Sequence, residues 1–258
     1  MEALDAAAAA PDQVGIGVVI PYDFALDREL WRWVPAQVSL HLTRTPYQDI
    51  PESVAHAVAI GDRETVARCT RDLLVVEPAA VAYGCTSGSF IGGLAGEAAL
   101  VAGMVEAGAP TAATTSGAVI AAAHALGLKK VAVVTPYDEA LGAKLRAYLN
   151  EAGIEVTAQN DMGLTERIWT VPYEVTADLA RRTARGGEDA VFLSCTNLRT
   201  YDLIAPLEQE LAVPVLTANQ VTMWAVLAAA GVPAVGPGQS LMGTRPTSPI
   251  TVWAMRPA

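Results

Sequence analysis

The chain has 258 residues, 52% hydrophobic, 17% charged and 6% aromatic, with a formal net charge of −10. That length can bury one large core or two smaller ones. The acidic balance, with no Lys/Arg run and few rings for base stacking, excludes nucleic acid as the expected partner.

No segment reads as a membrane span: the most apolar region, 98–128, is interrupted by Glu106, Pro110, a Thr/Ser cluster and several glycines. The opening Met1-Glu2-Ala3-Leu4-Asp5 and the alanines after it lack the positive n-region of a secretory signal and read as a disordered lead-in, so the cytoplasm is the expected location. Cys69, Cys85 and Cys195 form an odd set with no CxxC pair, and reduced thiols are the better reading.

In chain order, 14–20 reads as a buried strand ended by Pro21, and Asp23 as the cap of a helix running to Pro35. The alternation over 38–43 predicts a strand, followed by a loop through Arg44 and Tyr47. A mostly helical stretch over 52–76 breaks near Gly61. A central strand at 79–84, a helix at 90–107, a strand at 111–115 and a helix at 117–126 complete the first half. The second half reads as strand 130–135, helix 139–152, strand 154–159 and an irregular loop 161–172 holding Arg167 and Trp169. Helix 175–185, strand 190–194, helix 198–211, strand 213–217 and helix 221–230 follow. The tail from Gly231 is rich in Gly and Pro, with a candidate strand at 250–255.

The two halves echo each other. Val18-Val19-Ile20-Pro21-Tyr22-Asp23-Phe24-Ala25-Leu26 matches the segment from Val133 to Leu141 at seven of nine positions. Val81-Ala82-Tyr83-Gly84-Cys85-Thr86 has its counterpart in Val191-Phe192-Leu193-Ser194-Cys195-Thr196: buried strand, Cys-Thr, helix start. Pro110 to Gly127 and Pro214 to Gly231 form a third pair. Strands alternating with helices predict an α/β fold of two pseudo-symmetric lobes, each a short, mostly parallel sheet flanked by helices, with the active site between them. The expected division is 1–128 and 129–235, with the tail 236–258 packing back on the first lobe. Ligands of such sheets bind beyond the carboxyl ends of the strands, where Pro21-Tyr22, Pro136-Tyr137 and both Cys-Thr pairs fall.

A thiol at a strand-to-helix junction faces free backbone N–H groups and the positive end of the helix dipole, which predicts a pKa lowered from about 8.5 toward neutrality. The same N–H groups, with the hydroxyls of Thr86, Ser87 and Ser89, or with Thr196 and Asn197, would hold a carboxylate. Two opposed thiols suit passing a proton from one face of a carbon to the other, or adding a thiolate to an alkene. The plainer readings stand beside this one. Cys69, in mid-helix, reads as core; a Cys85–Cys195 disulfide is disfavoured by compartment, and zinc by the absence of a nearby His at ligand spacing. His41, His56 and His124 stand alone and read as surface or helix-face residues. Tyr22 and Tyr137 read as core rings or, for Tyr137 at its strand end, as a hydroxyl donor. Gly92, Gly93 and Gly96 make no dinucleotide fingerprint, and no cofactor or metal is expected. Arg44 and Arg167 are loop cations, either surface charges or carboxylate clamps.

The two Cys motifs and Pro136-Tyr137 resemble the Asp/Glu racemase superfamily, and Tyr83-Gly84-Cys85-Thr86-Ser87-Gly88-Ser89-Phe90 most resembles its maleate cis–trans isomerase and arylmalonate decarboxylase branch, with the ectoine-utilisation protein A group. The resemblance implies a cofactor-independent isomerase or racemase of a small carboxylate. Cys85 would be the nucleophile, Cys195 the proton donor and acceptor, Tyr137 a carboxylate ligand, and Thr86 and Ser87 the cradle. Arylmalonate decarboxylase keeps only the second cysteine, so decarboxylation is the alternative; a carboxylate-binding protein without turnover is the reading from another class. Maleate isomerases carry Ser-Ser-Asn where this chain has Tyr22-Asp23-Phe24, and an Asn in the loop near Arg167 where this chain has none. The expected partner is a small carboxylate, with neither nucleic acid nor membrane; a homo-oligomer fits the sequence but is not fixed by it.

Overall fold

The computed structural model describes residues 13–247. The lead-in and the candidate strand at 250–255 lie outside them. Two four-stranded parallel sheets carry the same strand order. In the first, β1 (Val14–Ile20), β2 (Val38–Arg44), β3 (Ala80–Tyr83) and β4 (Ala112–Thr114) run β2-β1-β3-β4. In the second, β5 (Lys130–Thr135), β6 (Glu155–Asp161), β7 (Ala190–Leu193) and β8 (Val215–Thr217) run β6-β5-β7-β8. The inner strands are continuous apolar runs because helices cover both faces: every residue of β3 and β7 is buried. Among the described residues, no helix is long and apolar enough to cross a membrane.

Helices follow the strands, and side-chain caps set the starts of several of them. The helices are α1 (Asp27–Leu30), α2 (Val54–Ile60), α3 (Arg63–Leu73), α4 (Thr86–Phe90), α5 (Gly93–Glu106) and α6 (Thr115–Leu126) in the first half. The second half has α7 (Glu139–Glu151), α8 (Tyr173–Thr183), α9 (Tyr201–Leu211) and α10 (Ala218–Ala229). Thr114 at the head of α6 accepts a hydrogen bond from Gly117 N, and Thr217 at the head of α10 accepts one from Gln220 N within a capping box. Equivalent positions thus use equivalent devices.

One predicted element differs. Asp23 caps nothing: α1 is a single turn starting at Asp27, with a 3₁₀ turn over Trp31–Trp33. Residues 21–26 form a loop instead. Arg44 Nη1 holds that loop by donating to the carbonyls of Tyr22 (3.1 Å) and Phe24 (2.7 Å).

The halves share their interior. α6, from the first half, lies in one core cluster with Val131, Val133 and Phe192 of the second sheet. α10, from the second half, packs on β3 and β4 of the first sheet. Another cluster joins Ile16, Val18, Ala80 and Ala82 to Val134, Leu193, Met223 and Leu227. The two helices meet at a buried hydrogen bond between the Thr115 and Thr222 hydroxyls, 2.8 Å. Beyond α10 the chain touches both halves: Val235 N donates to Trp33 O, and Gln239 Oε1 accepts from Trp33 Nε1 (2.8 Å) and Gln220 Nε2 (3.0 Å).

Candidate functional site

Cys85 and Cys195 each lie two residues beyond the end of a strand, β3 and β7, and both residues line one cavity. Cys85 is the residue before α4, with extended backbone, and its Sγ accepts from Gly88 N at 3.3 Å. Gly88 has to be glycine, because a Cβ there would run into the Tyr83 hydroxyl. Cys195 differs from its counterpart. Its φ is +84°, a region that a residue with a side chain occupies only under strain, and Asn197 N donates to its Sγ at 3.4 Å.

All seven residues singled out in the sequence, Cys85, Thr86, Ser87, Tyr137, Cys195, Thr196 and Asn197, line this cavity. Thr86 Oγ1 is buried and has no hydrogen-bond partner among the described residues. Tyr137 is buried, its hydroxyl accepting from Ser194 Oγ at 3.4 Å. The Asn197 side chain is committed to the first half: its Oδ1 accepts from Ala25 N (3.0 Å) and its Nδ2 donates to Asp23 O and Oδ2 (3.2 Å each). Cys69 stays outside, its thiol 3.5 Å from Arg44 O. Arg44 is occupied by carbonyls, and Arg167 reaches only an outer basin.

The cavity also contains what the sequence reading missed: Asp23, Glu52 and His56. His56 was read as a surface or helix-face residue. Its side chain is instead 3% exposed, with Nδ1 3.1 Å from Glu52 Oε2. The signal was there in the Glu-x-x-x-His spacing, which faces i and i+4 toward each other. It was obscured because Glu52 precedes the helix start at Val54, where Ser53 is the cap.

The expected thiol acidity is reversed. Burial pushes the Cys85 thiol up to about 12; the Gly88 N–H pulls it down, but the Glu52 charge adds to the rise. Cys195 is pushed well up by burial and then by Glu52. Two N–H contacts do not offset desolvation with a carboxylate nearby and neither lysine nor arginine lining the cavity. Burial and Glu52 also raise Asp23. His56 is pulled down by burial but ends above its ordinary value, because Glu52 and Asp23 outweigh that term.

As it stands the cavity is about 20 Å³, room for roughly one water. An outer basin of about 320 Å³ shares Asp23, Glu52, His56 and Ile168 with it and lies under residues 47–52 and 165–169. Those loops come from different halves and are pinned by Glu52 N donating to Thr165 O at 2.9 Å. A larger cavity, about 480 Å³, lies beside α10 and residues 242–247; it has neither cysteine nor carboxylate in its lining.

The arylmalonate decarboxylase family model matches residues 57–242, which contain both cysteine junctions. The chain belongs to that family. Over 172 residues it is 34% identical to the arylmalonate decarboxylase of Bordetella bronchiseptica, covering 65% of this chain and 72% of that protein. It is 27% identical over 237 residues to the maleate isomerase of Nocardia farcinica, covering 86% of this chain and 92% of the relative. A double mutant of arylmalonate decarboxylase, solved in its liganded form, superposes with a TM-score of 0.82 at 28% identity, over 89% of this chain and 98% of that one. A Nocardia farcinica maleate cis-trans isomerase mutant superposes with a TM-score of 0.80 at 22% identity, over 89% of this chain and 98% of that one, and shares the fold.

Proposed function

We propose that the chain is a cofactor-independent isomerase or racemase of a small carboxylate, working through Cys85 and Cys195. The observation that carries the reading is that one cavity, at the carboxyl ends of both sheets, receives a thiol from each half. The substrate carboxylate would take the unpartnered Thr86 hydroxyl, Ser87 and the Tyr137 hydroxyl, with the Thr196 turn on the other half; Asn197 would hold that turn against residues 23–25.

Two versions of the chemistry use the same atoms. In isomerisation, the Cys85 thiolate forms a C–S bond to one alkene carbon while the π pair moves to the neighbouring carbon and its carboxylate. Cys195 protonates that carbon and later takes the proton back. Rotation about the new single bond precedes expulsion of the thiolate, so no atom is gained or lost. In racemisation, one sulfur removes an α-proton from one face and the other returns a proton to the opposite face. Either version begins with a thiol losing its proton, which burial and Glu52 oppose.

Decarboxylation of a malonate-type acid, with Cys195 protonating an enediolate, is the second reading, supported by the family match. Proton NMR of the protein with maleate, aspartate, glutamate and a substituted malonate in deuterated buffer separates them, reporting geometric isomerisation, α-proton exchange and loss of carbon dioxide together. Cys85→Ala abolishes isomerisation and racemisation but leaves decarboxylation possible. Activity surviving Cys195→Ala defeats both readings.

A further inference from the structure

Asp23, Glu52 and His56 line the same cavity as the two cysteines and the Thr86–Ser87 turn, and the two-thiol chemistry uses none of them. His56 is the one lining residue, among those described, whose side chain can carry positive charge. It stands in the first turn of α2 and is 3% exposed. Its Nδ1 lies at ion-pair distance from Glu52 Oε2, 3.1 Å, yet neither ring nitrogen completes a hydrogen bond among the described residues. Glu52 Oε1 and Thr86 Oγ1 are in the same condition. A buried polar atom with no partner is costly unless something visits it. Here such atoms belong to residues that surround one small space.

What faces the imidazole is acidic or neutral. Glu52 lies against Nδ1, and Asp23 adds its charge from the loop 21–26. The Tyr22 ring packs edge-on at 5.6 Å, with the Tyr47 ring 5.2 Å beyond it. α4, which packs on α2, carries no charged residue. The remaining titratable groups around the cavity are Cys85, Cys195 and Tyr137. Burial works against a proton on His56, but the two carboxylates outweigh it and hold the ring above its ordinary value. Once protonated, both ring nitrogens donate. With Glu52 beside Nδ1, the Nε2–H is left for whatever enters.

The size of the cavity decides what that donor meets. At about 20 Å³ it has room for roughly one water, so a carboxylate seated on the Thr86–Ser87 turn fills it and abuts His56. We propose that His56, as an imidazolium, donates from Nε2 to one oxygen of the substrate carboxylate whose other oxygen takes the Thr86 hydroxyl. Glu52 and Asp23 serve to keep the proton on His56. The assignment rests on the two-thiol reading and gives it a counter-charge, since no lysine or arginine lines the cavity. When a proton leaves the substrate carbon, or a thiolate adds beside it, the electron pair spreads into the adjoining carboxylate. A cationic donor at that oxygen holds it more tightly as the charge grows.

The test follows His56 itself. The chain has three histidines, and imidazole NMR signals of the full-length protein, recorded from about pH 5 to pH 9 with and without saturating succinate, give each its titration midpoint. His56→Gln assigns the signal; should that variant fold poorly, His41→Gln and His124→Gln assign it by elimination. An anion against the imidazolium raises the His56 midpoint by about one unit. By reciprocity succinate then binds roughly tenfold more weakly above that range than below it. Occupancy at the thiols is read separately, as protection of the Cys85 and Cys195 peptides from iodoacetamide with Cys69 as internal control. Succinate that protects both thiols yet leaves the His56 midpoint where it was overturns the assignment and leaves the two-thiol reading standing. A raised midpoint without protection puts the anion away from the sulfurs and overturns the assignment as well. Succinate that does neither overturns both.

Discussion

The two cysteines occupy equivalent places in the repeat but not equivalent backbones, and substitution to alanine and glycine separates them. At Cys85 the backbone is extended, φ −144° and ψ 121°. Replacing alanine by glycine there gives up about 0.5–1 kcal/mol of backbone restriction and about 0.8 kcal/mol of buried Cβ. The expected penalty is therefore about 1.5 kcal/mol. At Cys195 both costs apply, but the Cβ sits at φ +84°, and removing it recovers about 1–2 kcal/mol of left-handed strain. The net change there is close to zero. Thermal melts of Cys85→Ala, Cys85→Gly, Cys195→Ala and Cys195→Gly read this difference of differences without requiring activity. At roughly 2–4 °C per kcal/mol for a chain of this size, the alanine-to-glycine step lowers Tm by several degrees at position 85 and hardly at 195. Equal losses at the two positions would refute the strain argument and leave the unusual φ as a feature of no energetic weight.

Other outcomes follow from burial and hydrogen bonding. Cys85, pushed up to about 12 by burial, keeps its proton in the folded chain where the unfolded chain ionises near about 8.5. Its contribution to stability is complete below the unfolded value and is lost as pH rises toward the folded one. Urea midpoints therefore fall between about pH 8.5 and pH 10.5, and Cys85→Ala flattens the fall; an unchanged slope would contradict a buried neutral thiol. Buried Glu29 accepts from Thr200 N (3.1 Å), Thr200 Oγ1 (3.0 Å) and Asn219 Nδ2 (3.3 Å), and Asn219 also donates to Thr196 O at 2.9 Å. Glu29→Ala strands these donors and costs about 2–4 kcal/mol in urea unfolding, and slows turnover by loosening the Cys195–Thr196 turn. A loss near the scatter of surface substitutions, about 0.5 kcal/mol, would show that the network is dispensable. Gly88→Ala drives a methyl into the Tyr83 hydroxyl and displaces it from Ile60 O, 2.7 Å away. About 1–3 kcal/mol of stability goes with it, and a melt indistinguishable from the parent would mean that the turn relaxes freely.

Much of this was legible in the sequence because duplication makes signals visible twice. The parallel sheets, the position of both Cys-Thr pairs at strand ends, and the helix behind each were readable from apolar runs with matching punctuation. Legibility failed where symmetry fails. Glu52 and His56 come from a segment with no echo: the corresponding side of the cavity in the second half is a loop that contributes Ile168. Asp23 was misread as a cap because an acid before an apolar stretch has the same signature whether it caps a helix or faces a cavity. The thiol acidity was argued from local dipoles, which a sequence reveals. Desolvation depends on how tightly the two halves close over the sulfurs, which it does not.

The interleaved interior has a consequence for how such a molecule could be taken apart. With α6 set against the second sheet and α10 against the first, neither copy can cover its apolar strands alone. Cut near residue 128, the polypeptide should give two fragments that aggregate apart and regain structure when mixed. Each sheet is roofed in part by a helix belonging to the other half, so loosening either helix exposes apolar strands in both.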